Sequence, residues 1–224
     1  MPRRADLAKP VKPSAATPQR GLSGDDTPAK PPEHVSREAF EQLKTYVALV
    51  QKWTKSINLV SQGDQDPVWS RHVLDSLRLL PLMPKGAARG VDLGSGAGFP
   101  GLVLALASGI PFDLIEADQR KAAFLVEAQR VTQAPVTIHC ARIEDLRLPP
   151  APLVTARALA PLAALLALAH PLLLPGGTAL FPKGARSGQE IADAERQWRM
   201  QVNRFEDPQH PGSTILAITN LAHA

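Results

Sequence analysis

The sequence predicts an α/β fold: a parallel sheet with helices on both faces, an antiparallel C-terminal strand pair, and two helices added in front. Three observations carry this. Short apolar runs alternate with amphipathic stretches between residues 90 and 181, as strand–helix–strand units do. A glycine-rich turn stands directly after the first of those runs. Hydrophobic residues make up 44% of the 224 and aromatics only 4%, so a large core is available and it is aliphatic.

The elements run in order. Phe40, Leu43, Val47, Val50 and Trp53 recur at three- and four-residue spacing, one face of a helix, with Ser36 as its N-cap. Asp66-Pro67 reads as a second helix start, continued by Val68, Trp69, Val73, Leu77 and Leu80 and stopped by Pro81 and Pro84. Gly90–Leu93 is the first strand, and a helix runs from the glycine turn to Ser108. Phe112–Ala117 is the second strand, then a helix over Gln119–Thr132 with Ala123, Phe124, Ala128 and Val131 inward. Val136–His139 and Leu153–Ala156 are the third and fourth strands, and a helix is expected over 158–170. Pro175-Gly176-Gly177 reads as a turn before a fifth strand, Thr178–Phe181, and a polar helix over Gly188–Met200. Val202–Phe205 and Thr214–Thr219 close the sheet as an antiparallel pair.

The first 33 residues read differently. Residues 1–32 hold seven prolines, six basic side chains and three acidic ones, so +3 of the chain's +4 formal charge lies there. With almost no large aliphatics, this basic tail is expected to be disordered. The folded body then spans 34–224, with its helical extension at 36–81. Arg3-Arg4 has no apolar run behind it, so no export signal is read. The apolar stretch 158–174 is broken by Pro161, His170 and Pro171 and falls short of the ~20 residues that cross a bilayer. The expectation is a cytoplasmic monomer without membrane contact. The lone Cys140 excludes an internal disulfide, offers no metal site, and is expected as a small core residue at a strand end.

The stretch Val91-Asp92-Leu93-Gly94-Ser95-Gly96-Ala97-Gly98-Phe99-Pro100-Gly101 carries the chemistry. Glycines at the carboxyl end of a strand let a ligand approach the backbone. Gly96 to Gly101 spells the dinucleotide pattern G-x-G-x-x-G. Yet the strand ends at Leu93, which makes Gly94 the first turn glycine and favours Asp92-x-Gly94-x-Gly96-x-Gly98, as in motif I of S-adenosylmethionine methyltransferases. Glu116 stands at the end of the second strand, where an acidic side chain accepts hydrogen bonds from a ribose. Both NAD and S-adenosylmethionine carry that ribose. No paired acid and base, nucleophilic triad or metal constellation stands out. Guanine N7 has an unprotonated lone pair and would need none of them, only alignment.

The combination of Asn58-Leu59, Arg71-His72-Val73-Leu74-Asp75-Ser76, Asp92–Gly101, Arg157-Ala158, Pro175-Gly176-Gly177 and Lys183-Gly184 resembles the bacterial small-subunit rRNA guanine-N7 methyltransferase G family, also called glucose-inhibited division protein B. The resemblance covers Phe40 to Asn220. It implies a Rossmann-like class I methyltransferase that binds S-adenosyl-L-methionine and methylates one guanine of 16S rRNA, free or in the small-subunit particle, at N7. It implies cofactor contacts from Asp92, Gly94, Gly96, Gly98 and Phe99 in the turn, and Glu116 at the ribose. Ile143 and Glu144 then flank the adenine, and Arg157 stands at the cofactor and substrate mouth. Ala156 and Ala151-Pro152 depart from the family's usual Ser and Asp.

His72, Asp75 and Ser76 share one helix face and could orient the cofactor loop or RNA. With Arg157 and Lys183, His72 and Asp75 are the positioning candidates. Lys52, Lys55, Arg71, Arg186, Arg196 and Arg199 could add phosphate contacts, although a body near +1 is a weak electrostatic footprint. Three other readings stay open: the same fold acting on another substrate, an NAD(P)-dependent oxidoreductase, and an RNA-binding module that has lost catalysis.

Overall fold

The computed structural model describes residues 27–60, 68–207 and 211–224. Among the described residues, seven strands form one sheet: β1 (Gly90–Leu93), β2 (Phe112–Ile115), β3 (Val136–His139), β4 (Ala151–Ala156), β5 (Leu173–Lys183), β6 (Trp198–Glu206) and β7 (Thr214–His223). Their spatial order is β3-β2-β1-β4-β5-β7-β6. β1 to β5 run parallel, and β7 is antiparallel to both β5 and β6. The strand order turns back at β1, which pairs with β2 on one side and β4 on the other. That is where an open parallel sheet leaves a crevice beyond its carboxyl ends.

Helices cover both faces. α1 (Arg37–Thr54), α3 (Gly101–Ser108) and α4 (Gln119–Thr132) pack on one, together with Trp69 and Val73. α5 (Leu162–Ala169) and α6 (Ser187–Ala194) cover the other. The expected Ser36 cap is present: its hydroxyl accepts from Ala39 N–H at 3.1 Å. Asp118 caps α4 in the same way, accepting from Arg120 N–H at 2.8 Å. No helix among the described residues is long and apolar enough to cross a membrane.

Several expectations need correction. The Asp66-Pro67 start and residues 1–26 of the tail lie outside the described residues. Past Pro67, the chain forms a π-helical segment, Trp69–Leu74, that runs into a short α-helical turn, α2 (Asp75–Leu77). The Leu80–Leu82 stretch around Pro81 is a separate 3-10 turn, because proline cannot extend the ladder. α4 buries Ala122, Phe124, Leu125, Ala128 and Thr132, whereas Ala123 and Val131 face outward. The apolar stripe is rotated by about one residue because α1 covers it. β2 ends at Ile115, two residues short, where the Glu116 carboxylate turns toward the glycine loop. α5 begins four residues late, after Pro161, since Ala158 has a left-handed φ of 54° that no helix accommodates.

Pro175-Gly176-Gly177 does not end a helix before a new strand. β5 runs straight through it, and the register against β4 jumps from Ala151↔Leu173 to Leu153↔Thr178. The glycines absorb a bulge. α6 stops at Ala194 and Trp198 joins β6, because its indole packs among the buried residues under the sheet. Cys140 is exposed rather than in the core, one residue past the last pairing of β3.

Candidate cofactor and acceptor site

A cavity of about 740 Å³ opens beyond the carboxyl ends of β1, β2 and β4. Its floor is the glycine turn. Gly94 and Gly96 adopt φ values of +62° and +58°. Among the described residues, a side chain started at Gly96 would meet only the Gly94 carbonyl, 3.9 Å away, so the backbone is bare toward the cavity. The turn is held from below. Ser95 N–H donates to the Ile115 carbonyl at 2.9 Å, Gly98 N–H to the Ser95 carbonyl at 2.7 Å, and the Ser95 hydroxyl to the Asp92 carbonyl at 3.1 Å.

Glu116 is 8% exposed and lines the cavity. Its Oε2 accepts from Gly96 N–H at 2.7 Å and its Oε1 from Asp118 N–H at 2.8 Å. One carboxylate therefore joins the glycine turn to the start of α4. Each oxygen keeps a second lone pair for a ligand hydroxyl.

Gly94, Gly96, Phe99, Glu116, Ile143, Glu144 and Arg157 all line this cavity, as do His72 and Asp75. Asp92 and Gly98 do not line it and lie behind the turn instead. Asp92 is fully buried beneath the turn, where its Oδ1 accepts from the Thr155 hydroxyl at 2.7 Å. Burial pushes its carboxyl up to about 6. The Thr155 hydrogen bond first, then the nearby Ser95 hydroxyl, the Gly101 amide and the Arg157 charge, oppose the rise. Gly98 faces α1 instead: a Cβ there would lie 2.9 Å from the Tyr46 hydroxyl.

Phe99 is an aromatic hub at the cavity edge. Its ring centroid lies 5.4 Å from that of Tyr46 and 5.0 Å from that of His72, and the Arg157 guanidinium carbon sits 5.0 Å from it. Tyr46 on α1 donates its hydroxyl hydrogen to the Ala97 carbonyl, so the added helix holds the turn directly. Burial raises the Tyr46 phenol well above its ordinary range, which keeps that donor protonated.

Lys183 is not in this cavity. It lines a neighbouring one of about 480 Å³, which shares Asp75, Arg157, Ala158 and Leu159 with the first. Its ammonium is already engaged, donating to the Ala160 carbonyl at 2.8 Å and to Glu190 Oε2 at 2.7 Å. Lys121, Arg142 and Leu159 also line the main cavity and were not expected there from the sequence. Lys121 carried a signal: it lies in the first turn of α4, five residues beyond Glu116.

The rRNA small subunit methyltransferase G family (GidB) matches residues 39–211. The chain belongs to this family. Ribosomal RNA small subunit methyltransferase G of Granulibacter bethesdensis is 49% identical over 188 residues, covering 84% of this chain and 88% of that protein. The protein of the same name from Rhodospirillum centenum is 50% identical over 188 residues, covering 84% and 87%. More distant solved structures share the fold. An O-methyltransferase from Bacillus cereus in complex with SAH superposes with a TM-score of 0.52 at 16% identity, covering 83% of this chain and 91% of that one. Cofactor-bound Rv0187 from MTB gives 0.55 at 15%, covering 80% and 89%. Within the GidB family match lie every cavity residue named above and the Tyr46 tether.

Proposed function

We propose that this chain transfers the methyl group of S-adenosyl-L-methionine to N7 of a guanine in 16S rRNA. The observation that carries the reading is the pairing of a bare left-handed Gly96 with the Glu116 carboxylate at one cavity, in a chain of the GidB family. Glu116 receives the ribose hydroxyls, Ile143 and Glu144 flank the adenine, and Gly94 and Phe99 run along the methionine portion. When bound, the cofactor supplies an electrophilic methyl on a sulfonium. Guanine N7 attacks with its own lone pair, so no side chain has to remove a proton. Arg157, stacked on Phe99 at the opening between the two cavities, orients acceptor and cofactor. The work of the site is alignment. The same reading implies a cytoplasmic monomer acting on 16S rRNA or the small-subunit particle.

A dinucleotide fits this site less well. A pyrophosphate needs the open N-terminal amides of the helix after the turn. Here the Gly101 amide bears on the buried Asp92 carboxylate, and neither Gly101 nor Leu102 lines the cavity. The test is to map modified bases in small-subunit rRNA from cells with and without the gene. The expected product is 7-methylguanine, which marks the chain for aniline cleavage after borohydride. Methyl on an exocyclic nitrogen, a ribose or a pyrimidine carbon would overturn the reading. Arg157→Ala should lower methyl transfer by about two orders of magnitude, with melting little changed.

A further inference from the structure

A four-residue ledge, Arg157–Ala160, lies where the two cavities meet. Ala158 holds a φ of 54°, a region that side-chain-bearing residues rarely adopt. Leu159 lies over the glycine turn: a Cβ on Gly94 would fall 2.7 Å from Leu159 Cδ1. α5, next along the chain, has no side-chain cap of its own.

Two other elements hold the chain at this ledge. Glu190 on α6 accepts from the Leu162 amide at 2.9 Å, capping α5 from outside. The same oxygen, Oε2, accepts from Lys183 Nζ at the end of β5, and Lys183 also donates to the Ala160 carbonyl. The pair therefore grips the chain on both sides of Pro161, by a carbonyl before it and an amide after it. The Lys183 side chain is only 10% exposed, so this contact is sheltered from competing water and salt.

We propose that Lys183 and Glu190 are positioning residues for the cofactor site. Acting from the second cavity, they set the height of the ledge, and with it the seat of Leu159 on Gly94 and of Arg157 on Phe99. This rests on the cofactor reading above. It gives Lys183 a different task from phosphate contact, since two of its three donors serve Ala160 and Glu190.

The experiment measures S-adenosylhomocysteine binding by calorimetry, methyl-transfer kinetics, and melting for wild type, Glu190→Ala, Glu190→Gln and Lys183→Met. Glu190→Ala and Lys183→Met should weaken binding at least tenfold and raise the cofactor KM more than they lower kcat. Glu190→Gln keeps an oxygen for both donors and should stay within threefold of wild type. Trp198→Phe, a core change on the far edge strand, should lower melting without moving the affinity. Should Glu190→Ala not fold, Glu190→Asp replaces it, since withdrawing the carboxylate by one methylene tests the same grip. Wild-type affinity in Glu190→Ala or Glu190→Asp, or equal losses in the Ala and Gln variants, would overturn the proposal alone. Wild-type protein that does not bind S-adenosylhomocysteine would overturn the cofactor reading and this proposal together.

Discussion

Gly96 concentrates two demands on one residue: a φ of +58° and a bare surface toward the cavity. Gly96→Ala tests them. Left-handed strain costs about 1 kcal/mol, so the fold should hold. The new methyl group stands where the ligand would lie, and S-adenosylhomocysteine affinity should fall at least tenfold by calorimetry. Asp92 makes a demand of a different kind. Its carboxyl titrates near 6 in the folded chain, against an ordinary value of 3.8. Between those values the native state binds more protons than the unfolded one. Stability from this residue therefore falls as pH rises through about 4 to 6 and is level above. The gap between 3.8 and about 6 corresponds to about 3 kcal/mol across that window. Asp92→Asn keeps an acceptor for Thr155 and removes the titration. By urea unfolding, the stability of wild type relative to this variant should fall between pH 4 and 6.

Among the elements, α3 and β1 meet through a single missing side chain. A Cβ on Gly101 would stand 2.5 Å from Asp92 Cβ and 2.6 Å from Leu114 Cδ2. Gly101→Ala should therefore cost about 1–3 kcal/mol in equilibrium unfolding, unlike Gly96→Ala. Both glycines were legible in the sequence as one motif, but their separate tasks were not, because the motif does not say which face each one turns. Legibility tracked locality throughout. β1, β3 and α4 have their expected bounds because each is closed by its own flanking turn and cap residues, although the face that α4 buries is set by α1. The start of α5 does not, because the ledge before it is held by Glu190, 28 residues on from Leu162. The β5 bulge is not legible locally, because Pro175-Gly176-Gly177 carries the same letters as a chain-reversing turn. Seven of the nine expected cofactor residues line the cavity, and the two that do not are buried by contacts with Thr155 and α1, which no local pattern announces.

At the scale of the molecule, the helical extension is joined to the methyltransferase body at both ends. Arg78, just past α2, pairs with Asp207 at the end of β6 at 2.9 Å. At the front, Val35 enters the core and its amide donates to the Pro32 carbonyl at 3.2 Å. Removing residues 1–31 spares that turn and deletes no side chain of the described core. Melting should shift by no more than about 2 °C. Loss of the tail's +3 should weaken rRNA binding at low salt and matter less as salt rises. The Tyr46 bond to the Ala97 carbonyl has a wider consequence. A ligand that steadies the turn must, by reciprocity, steady α1, a helix that does not itself line the cavity. Occupancy of the site is then written into the amide hydrogen exchange of residues 37–54. Protection there should rise when S-adenosylhomocysteine is added, and Tyr46→Phe should silence that distant signal while leaving the pocket able to fill.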